Sequence, residues 1–172
     1  MEDKIIESIG YLLPAAVTGY IAYYMFNRFV SKTDGNTRAN VLAKKNKVVL
    51  TVKLQAYERL TLLLERIAPS NLLIRVKPYS DDKDEYERLL LKTIEDEFEH
   101  NLTQQVYVTE ACWNVIRTAK SATVSIIRKT SMNEKVTTSD KLRETILREL
   151  MDNQTPSDAG LSYIKKEVAE II

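Results

Sequence analysis

Apolar positions dominate the start of the chain and then settle into helical spacing. From Ser8 to Asn27, "SIGYLLPAAVTGYIAYYMFN" carries no charged residue. With Ile5, Ile6, Phe29 and Val30 the run reaches about 26 residues, which at about 1.5 Å per residue exceeds the roughly 30 Å hydrocarbon core of a bilayer. This pattern predicts a transmembrane helix, with Tyr23, Tyr24, Phe26 and Phe29 as an interfacial aromatic belt. A cleaved signal peptide fits less well, because the start is acidic (Glu2, Asp3, Glu7) and no small-residue cleavage site follows. Ala15 and Gly19 form a small-xxx-small step that would let two such helices pack closely.

After a polar joint, "SKTDGNTRAN", the 3–4 spacing resumes. Val49, Val52, Ala56, Leu60, Leu63 and Ile67 run beside Leu50, Leu54, Tyr57, Thr61 and Leu64. The combined arc is wider than a coiled-coil seam, so this helix is expected to be buried on more than one side. Pro69 ends it, since the residue before proline avoids the helical region. "LLIRV", Leu72 to Val76, fits a helical turn or a short strand; no convincing strand partner exists elsewhere, which favours non-sheet. A helix is expected from about Asp82 to Gln104, with Asp82 and Glu85 matching a capping box. Val106 to Val108 interrupts it. Thr109 caps the next helix, about Glu110 to Lys129, whose expected inner face carries Ala111, Val115, Ala119, Ala122 and Ile126, with Cys112 and Ile116 beside them. Helices from about Asp140 to Asp152 and Ser157 to Ile172 follow, the latter with Thr155 as cap, Pro156 in its first turn, and Leu161, Ile164, Val168, Ile171 and Ile172 on its apolar side.

The expected fold is therefore all-α: one N-terminal transmembrane helix followed by a cytoplasmic bundle of about five helices. The domains are a tail and anchor (1–30), a joint (31–40) and a helical domain (41–172). Only four glycines and four prolines in 172 residues agree with few, long helices. Arg28, Lys32, Arg38, Lys44, Lys45 and Lys47 follow the apolar run and only Lys4 precedes it, so the positive-inside rule places the N-terminus out and the bulk of the chain in the cytoplasm.

Two stretches, "LQAYERLTLLLERIAPSNLLIRV" (Leu54 to Val76) and "EFEHNLTQQVYVTEACWNVI" (Glu97 to Ile116), resemble an uncharacterised family of small bacterial proteins with one N-terminal membrane helix and a helical domain. The resemblance implies that architecture, in a bacterial inner membrane, and brings no activity and no catalytic residues.

Charge adds little direction. Twenty-five basic and 24 acidic residues leave a formal charge of +1, which gives no basic excess for nucleic acid. The single cysteine, Cys112, excludes an intrachain disulfide. Phosphate-cradling glycine loops, paired metal-binding histidines and nucleophile elbows are absent from the sequence. Glu97 and His100 make one Glu-x-x-His step, half of a di-metal carboxylate site, but His100 is the only histidine and a second step cannot exist. On a helical wheel His100 falls roughly opposite the stripe of Leu91, Ile94, Phe98 and Leu102, with Glu97 about 60° from that stripe. Cys112, expected on an inner face, reads as a small buried hydrophobe. Glu58–Arg59 and Glu65–Arg66 recur seven residues apart, and Trp113 pairs with Tyr107 near a helix start; with His100 these are the candidate partner contacts.

The expected function is a non-catalytic, membrane-anchored helical interaction or scaffold protein, an accessory subunit or a homo-oligomer. Residues 5–30 would meet lipid and the bundle would meet a protein partner, with no cofactor, nucleic acid or small-molecule substrate. Two alternatives stand beside it. One is a metal-binding protein or enzyme using Glu97 and His100. The other is a regulator touching lipid or nucleic acid through Arg117, Lys120 and Arg128 together with Lys44, Lys45 and Lys47.

Overall fold

The computed structural model describes residues 2–151 and 154–171, with side chains for 14–29, 40–150 and 154–171. Helix α1 runs from Glu2 to Ile67. It is followed by α2 (Pro69–Arg75), α3 (Lys83–His100), a 3₁₀ turn (Leu102–Val106), α4 (Glu110–Ser131), α5 (Ser139–Met151) and α6 (Pro156–Ile171). The described residues are all-α and contain no strand. The chain divides into two units, Met1–Val49 and Leu50–Ile172.

The N-terminal expectation is overturned. Among the described residues no helix is long and apolar enough to cross a membrane. The single-pass anchor through 5–30, the inner-membrane localisation and the N-out orientation drawn from it are therefore not supported. Of the uncharged run, side chains are described from residue 14 onward, and that stretch is not uniformly apolar. Between residues 14 and 29 the helix carries Pro14, Thr18, Gly19, Asn27, Arg28 and the hydroxyls of Tyr20, Tyr23 and Tyr24, which dilute its apolar content. Side chains 5–13 and 30 of the expected span lie outside the described residues. Helix α1 passes through residues 31–40, the expected polar joint, without a break.

In the second unit, α1 ends where Pro69 opens α2, with Ala68 in extended geometry at the elbow. The ambiguous stretch Leu72–Val76 is helical as far as Arg75, and Leu72 and Leu73 are fully buried. Asp82 caps α3 by accepting from the Asp84 N–H at 2.8 Å. Glu85 does not close the expected box; it accepts from the Ser80 hydroxyl at 2.7 Å instead. Helix α3 ends at His100, earlier than expected. The side chain of Asn101 donates to the Glu97 carbonyl at 2.9 Å and terminates the helix before the 3₁₀ turn. Leu102 thereby leaves the apolar stripe and is exposed. Thr109 caps α4 through the Cys112 N–H, and Thr155 with Asp158 forms a reciprocal box at the start of α6.

The buried face of α4 is turned by about one residue from the expected one. Cys112, Ile116, Ala119, Thr123, Ile127 and Thr130 face inward, whereas Ala111 is exposed and Ala122 and Ile126 are half-buried. Threonine makes this possible. The hydroxyls of Thr123 and Thr130 donate to the Ala119 and Ile126 carbonyls, so they enter the core without an unmet polar group. The core that results joins Leu60, Leu64, Leu90, Ile94, Ile116 and Leu142 into one cluster.

Candidate functional site

Three side-chain constellations stand out. The first lies at the elbow between α1 and α2. The last turn of a helix leaves carbonyls without intrahelical donors. Here Asn71 donates to the Glu65 carbonyl at 2.9 Å, and Arg75 Nη2 donates to the Arg66 carbonyl at 3.2 Å. Helix α2 therefore caps α1 with its own side chains. Glu97 of α3 then engages both arginines: its Oε1 lies 3.0 Å from Arg75 Nη1 and 3.3 Å from Arg66 Nε. The Glu97 side chain is 13% exposed, while the two guanidiniums remain more open. The arrangement is a carboxylate clamp tying the elbow to α3.

His100 sits in the last turn of α3 and is exposed. With Arg66, Thr93, Asp96 and Glu97 it lines a shallow hollow of about 360 Å³. Among the described residues no group of three or more His, Cys, Asp or Glu side chains is placed to hold a metal ion. Glu97 is already engaged by two cations. Replacing Glu97 with alanine is expected to cost about 1 kcal/mol, because the pairs are charge-assisted but the arginines are partly solvated. Urea denaturation at low and high salt checks this: the loss should shrink as salt rises, and a salt-independent loss would contradict the clamp.

The second constellation surrounds Trp113. It is 6% exposed and stacks on Phe98, with ring centroids 5.3 Å apart and planes at 26°. Lys120 Nζ lies 4.3 Å from the Phe98 centroid and 2.6 Å from the Glu95 carboxylate. Trp113 meets Phe98 in the interior, while Tyr107 is exposed. Glu58, Arg59, Glu65 and Arg66 are exposed on α1.

The third was not visible in the sequence. Tyr57 of α1, Cys112 of α4 and Glu167 of α6 converge in the interior. Burial first, and the adjacent Glu167 carboxylate second, push the Cys112 thiol up to about 12. Burial and Glu167 likewise raise the Tyr57 hydroxyl to about 12. Both stay protonated at neutral pH, so Cys112 is a poor nucleophile. Glu167 Oε2 is buried without a hydrogen-bond partner, as is Ser157 Oγ on the same helix. These groups are separated by up to 110 positions in the sequence, and no local motif joins them.

Outside the bundle's unit, α1 is notable for what it exposes. Val17, Tyr20, Ile21, Tyr23, Tyr24, Met25, Phe26 and Phe29 are each more than half exposed. These side chains point to all sides of the helix.

Fold and site together define an all-α helical-bundle protein with a long N-terminal helix and an apolar exposed segment. The chain belongs to the Family of unknown function (DUF7935), which matches residues 3–171. The resemblance to an uncharacterised family thus holds over nearly the whole chain. No curated protein and no solved structure matches it.

Proposed function

We propose that this chain is a non-catalytic helical interaction protein whose contact surface is the segment of α1 from residue 14 to 29. One observation carries the reading: five aromatic side chains, Tyr20, Tyr23, Tyr24, Phe26 and Phe29, lie exposed on one short stretch. Contiguous exposed apolar surface of this kind marks a binding site in a folded protein. The rest of the molecule agrees with a structural role. Cys112 is buried and held as a thiol, and Glu97 is committed to Arg66 and Arg75.

A photo-activated cross-linking residue placed at Tyr23 in cells tests the reading. Irradiation is expected to give covalent adducts heavier than the chain alone, and the same probe at exposed Lys92 on α3 should give few. Equal yields at both positions, or none at Tyr23, Tyr20 and Phe26, would remove the proposal.

A further inference from the structure

The outer face of α4 carries positive charge that the rest of the bundle leaves unanswered. We infer that the hollow on this face is a binding site for a phosphate monoester with an apolar organic part. It is separate from the contact surface on α1 and does not rest on it.

The charge is set by the sequence. From Ala111 to Ser131, α4 carries Arg117, Lys120, Arg128 and Lys129 and no acidic residue. The fold then sorts these cations. Lys120, Arg128 and Lys129 line one hollow of about 580 Å³, together with Ser121 and Ser125. Arg117 lines a second, smaller hollow that shares Ser121 with the first.

Two ordinary duties of such cations are already met. Basic residues in a last turn commonly answer the carbonyl end of the helix dipole. Here Lys83 Nζ, from the start of α3, donates to the Ser131 carbonyl at 2.9 Å. The Met132 N–H donates to the Arg128 carbonyl at 3.0 Å. The other duty is pairing with the neighbouring acidic helix. Glu95 of α3 is the one carboxylate in the lining, and Lys120 holds it at 2.6 Å. Arg128 and Lys129 are exposed and join no ion pair among the described residues.

The lining selects the ligand class. Three cations against one carboxylate leave an excess of two positive charges. A phosphate monoester, at about −1.5 to −2 near pH 7, matches that excess, whereas a carboxylate brings only half of it. A guanidinium fork, two ammonium groups and two hydroxyls supply donors for all the phosphate oxygens. Lys120 is held in place beforehand: its Nζ lies 4.3 Å from the Phe98 ring centroid and its side chain is 17% exposed. The hollow is much larger than a bare phosphate needs and falls in the roughly 300–1,000 Å³ range of organic ligands. Val124 and the exposed Met132 give the organic part an apolar surface. No aromatic ring belongs to the lining, so bases of a nucleic acid would find no stacking platform.

Two probes of this chemistry test the site on the full chain. Hexyl phosphate, followed by calorimetry, represents a soluble ester. Phosphatidylcholine vesicles carrying about 20% phosphatidic acid, followed by flotation, represent a lipid head group. At least one is expected to bind saturably, and hexanoate should bind about tenfold more weakly than hexyl phosphate or worse. Arg128→Gln combined with Lys129→Gln should weaken binding by about tenfold or more. Ser125→Asp should do the same by bringing a second carboxylate into the hollow. Lys92→Gln, an exposed cation of α3 outside the lining, should change nothing, and circular dichroism checks that every variant keeps its helices. Binding of hexyl phosphate alone assigns the site to a soluble ester, and binding of the vesicles alone assigns it to a lipid head group. Binding of neither probe would overturn the inference. So would hexanoate binding as tightly as hexyl phosphate, indifference to both sets of substitutions, or a single-stranded oligonucleotide binding where neither probe does.

Discussion

Trp113→Ala is expected to lower the unfolding free energy by about 3–5 kcal/mol, the range for truncating a large buried aromatic. The loss comes from its neighbours as much as from the ring itself. Trp113 opens α4 one turn after the Thr109 cap and lies almost wholly buried against Phe98 of α3. Removing the indole leaves a cavity beside a ring that also carries Lys120, and Lys120 in turn holds Glu95. Four residues on two helices thus lose mutual support. Trp113→Phe keeps an aromatic partner for Phe98 and should cost markedly less. Trp113 is the only tryptophan, so the alanine variant is followed by circular dichroism in urea. The expected sign is a lower midpoint with an unchanged slope. A loss below about 1 kcal/mol would mean that the ring is not packed as the structure shows.

Gly160→Val is the second large effect, and it acts by overpacking. A Cβ at residue 160 would sit 2.8 Å from Leu64 Cδ1 and 3.3 Å from Cδ2. Leu64 is fully buried and belongs to the central cluster, so it has little room to turn away. The branched side chain then forces α6 off α1, at about 1–3 kcal/mol or more. Leu64→Ala alone should cost about 2–5 kcal/mol by leaving a cavity. In the double variant the valine partly fills that cavity, so the combined loss should fall short of the sum by about 1 kcal/mol or more. Simple additivity would show that the two sites do not touch. The contrast with Gly19 is instructive: the same residue type faces open space in one helix and a leucine in another.

The elements were legible because their signals are local. Pro69 marks the elbow, and Asp82, Thr109 and Thr155 mark helix starts within a residue of where they occur. A capping side chain acts on an N–H two or three residues away, so its effect is fixed by adjacent sequence. His100 was placed outside the apolar stripe by helical geometry alone, and it is exposed. Expectation and structure part where a residue type can serve two environments. Thr123 and Thr130 stand outside the inner face expected for α4, yet both turn inward because each satisfies its hydroxyl on the preceding turn. Tyrosine and glycine are compatible with a membrane helix, yet among the described residues no helix is long and apolar enough to cross a membrane.

What the sequence alone determined is the all-α class, most helix starts and the lack of a second Glu-x-x-His step. These follow from hydrogen bonds and periodicities that reach no further than about one helical turn. Tertiary structure decided the rest. It brought Arg66 and Arg75 to Glu97, set Phe98 against Trp113, gathered Tyr57 and Cys112 around Glu167, and put Gly160 on Leu64. Each of these meetings joins separate helices. It depends on how the helices are rotated and docked, which is fixed by packing of the whole core and by no short stretch of the chain.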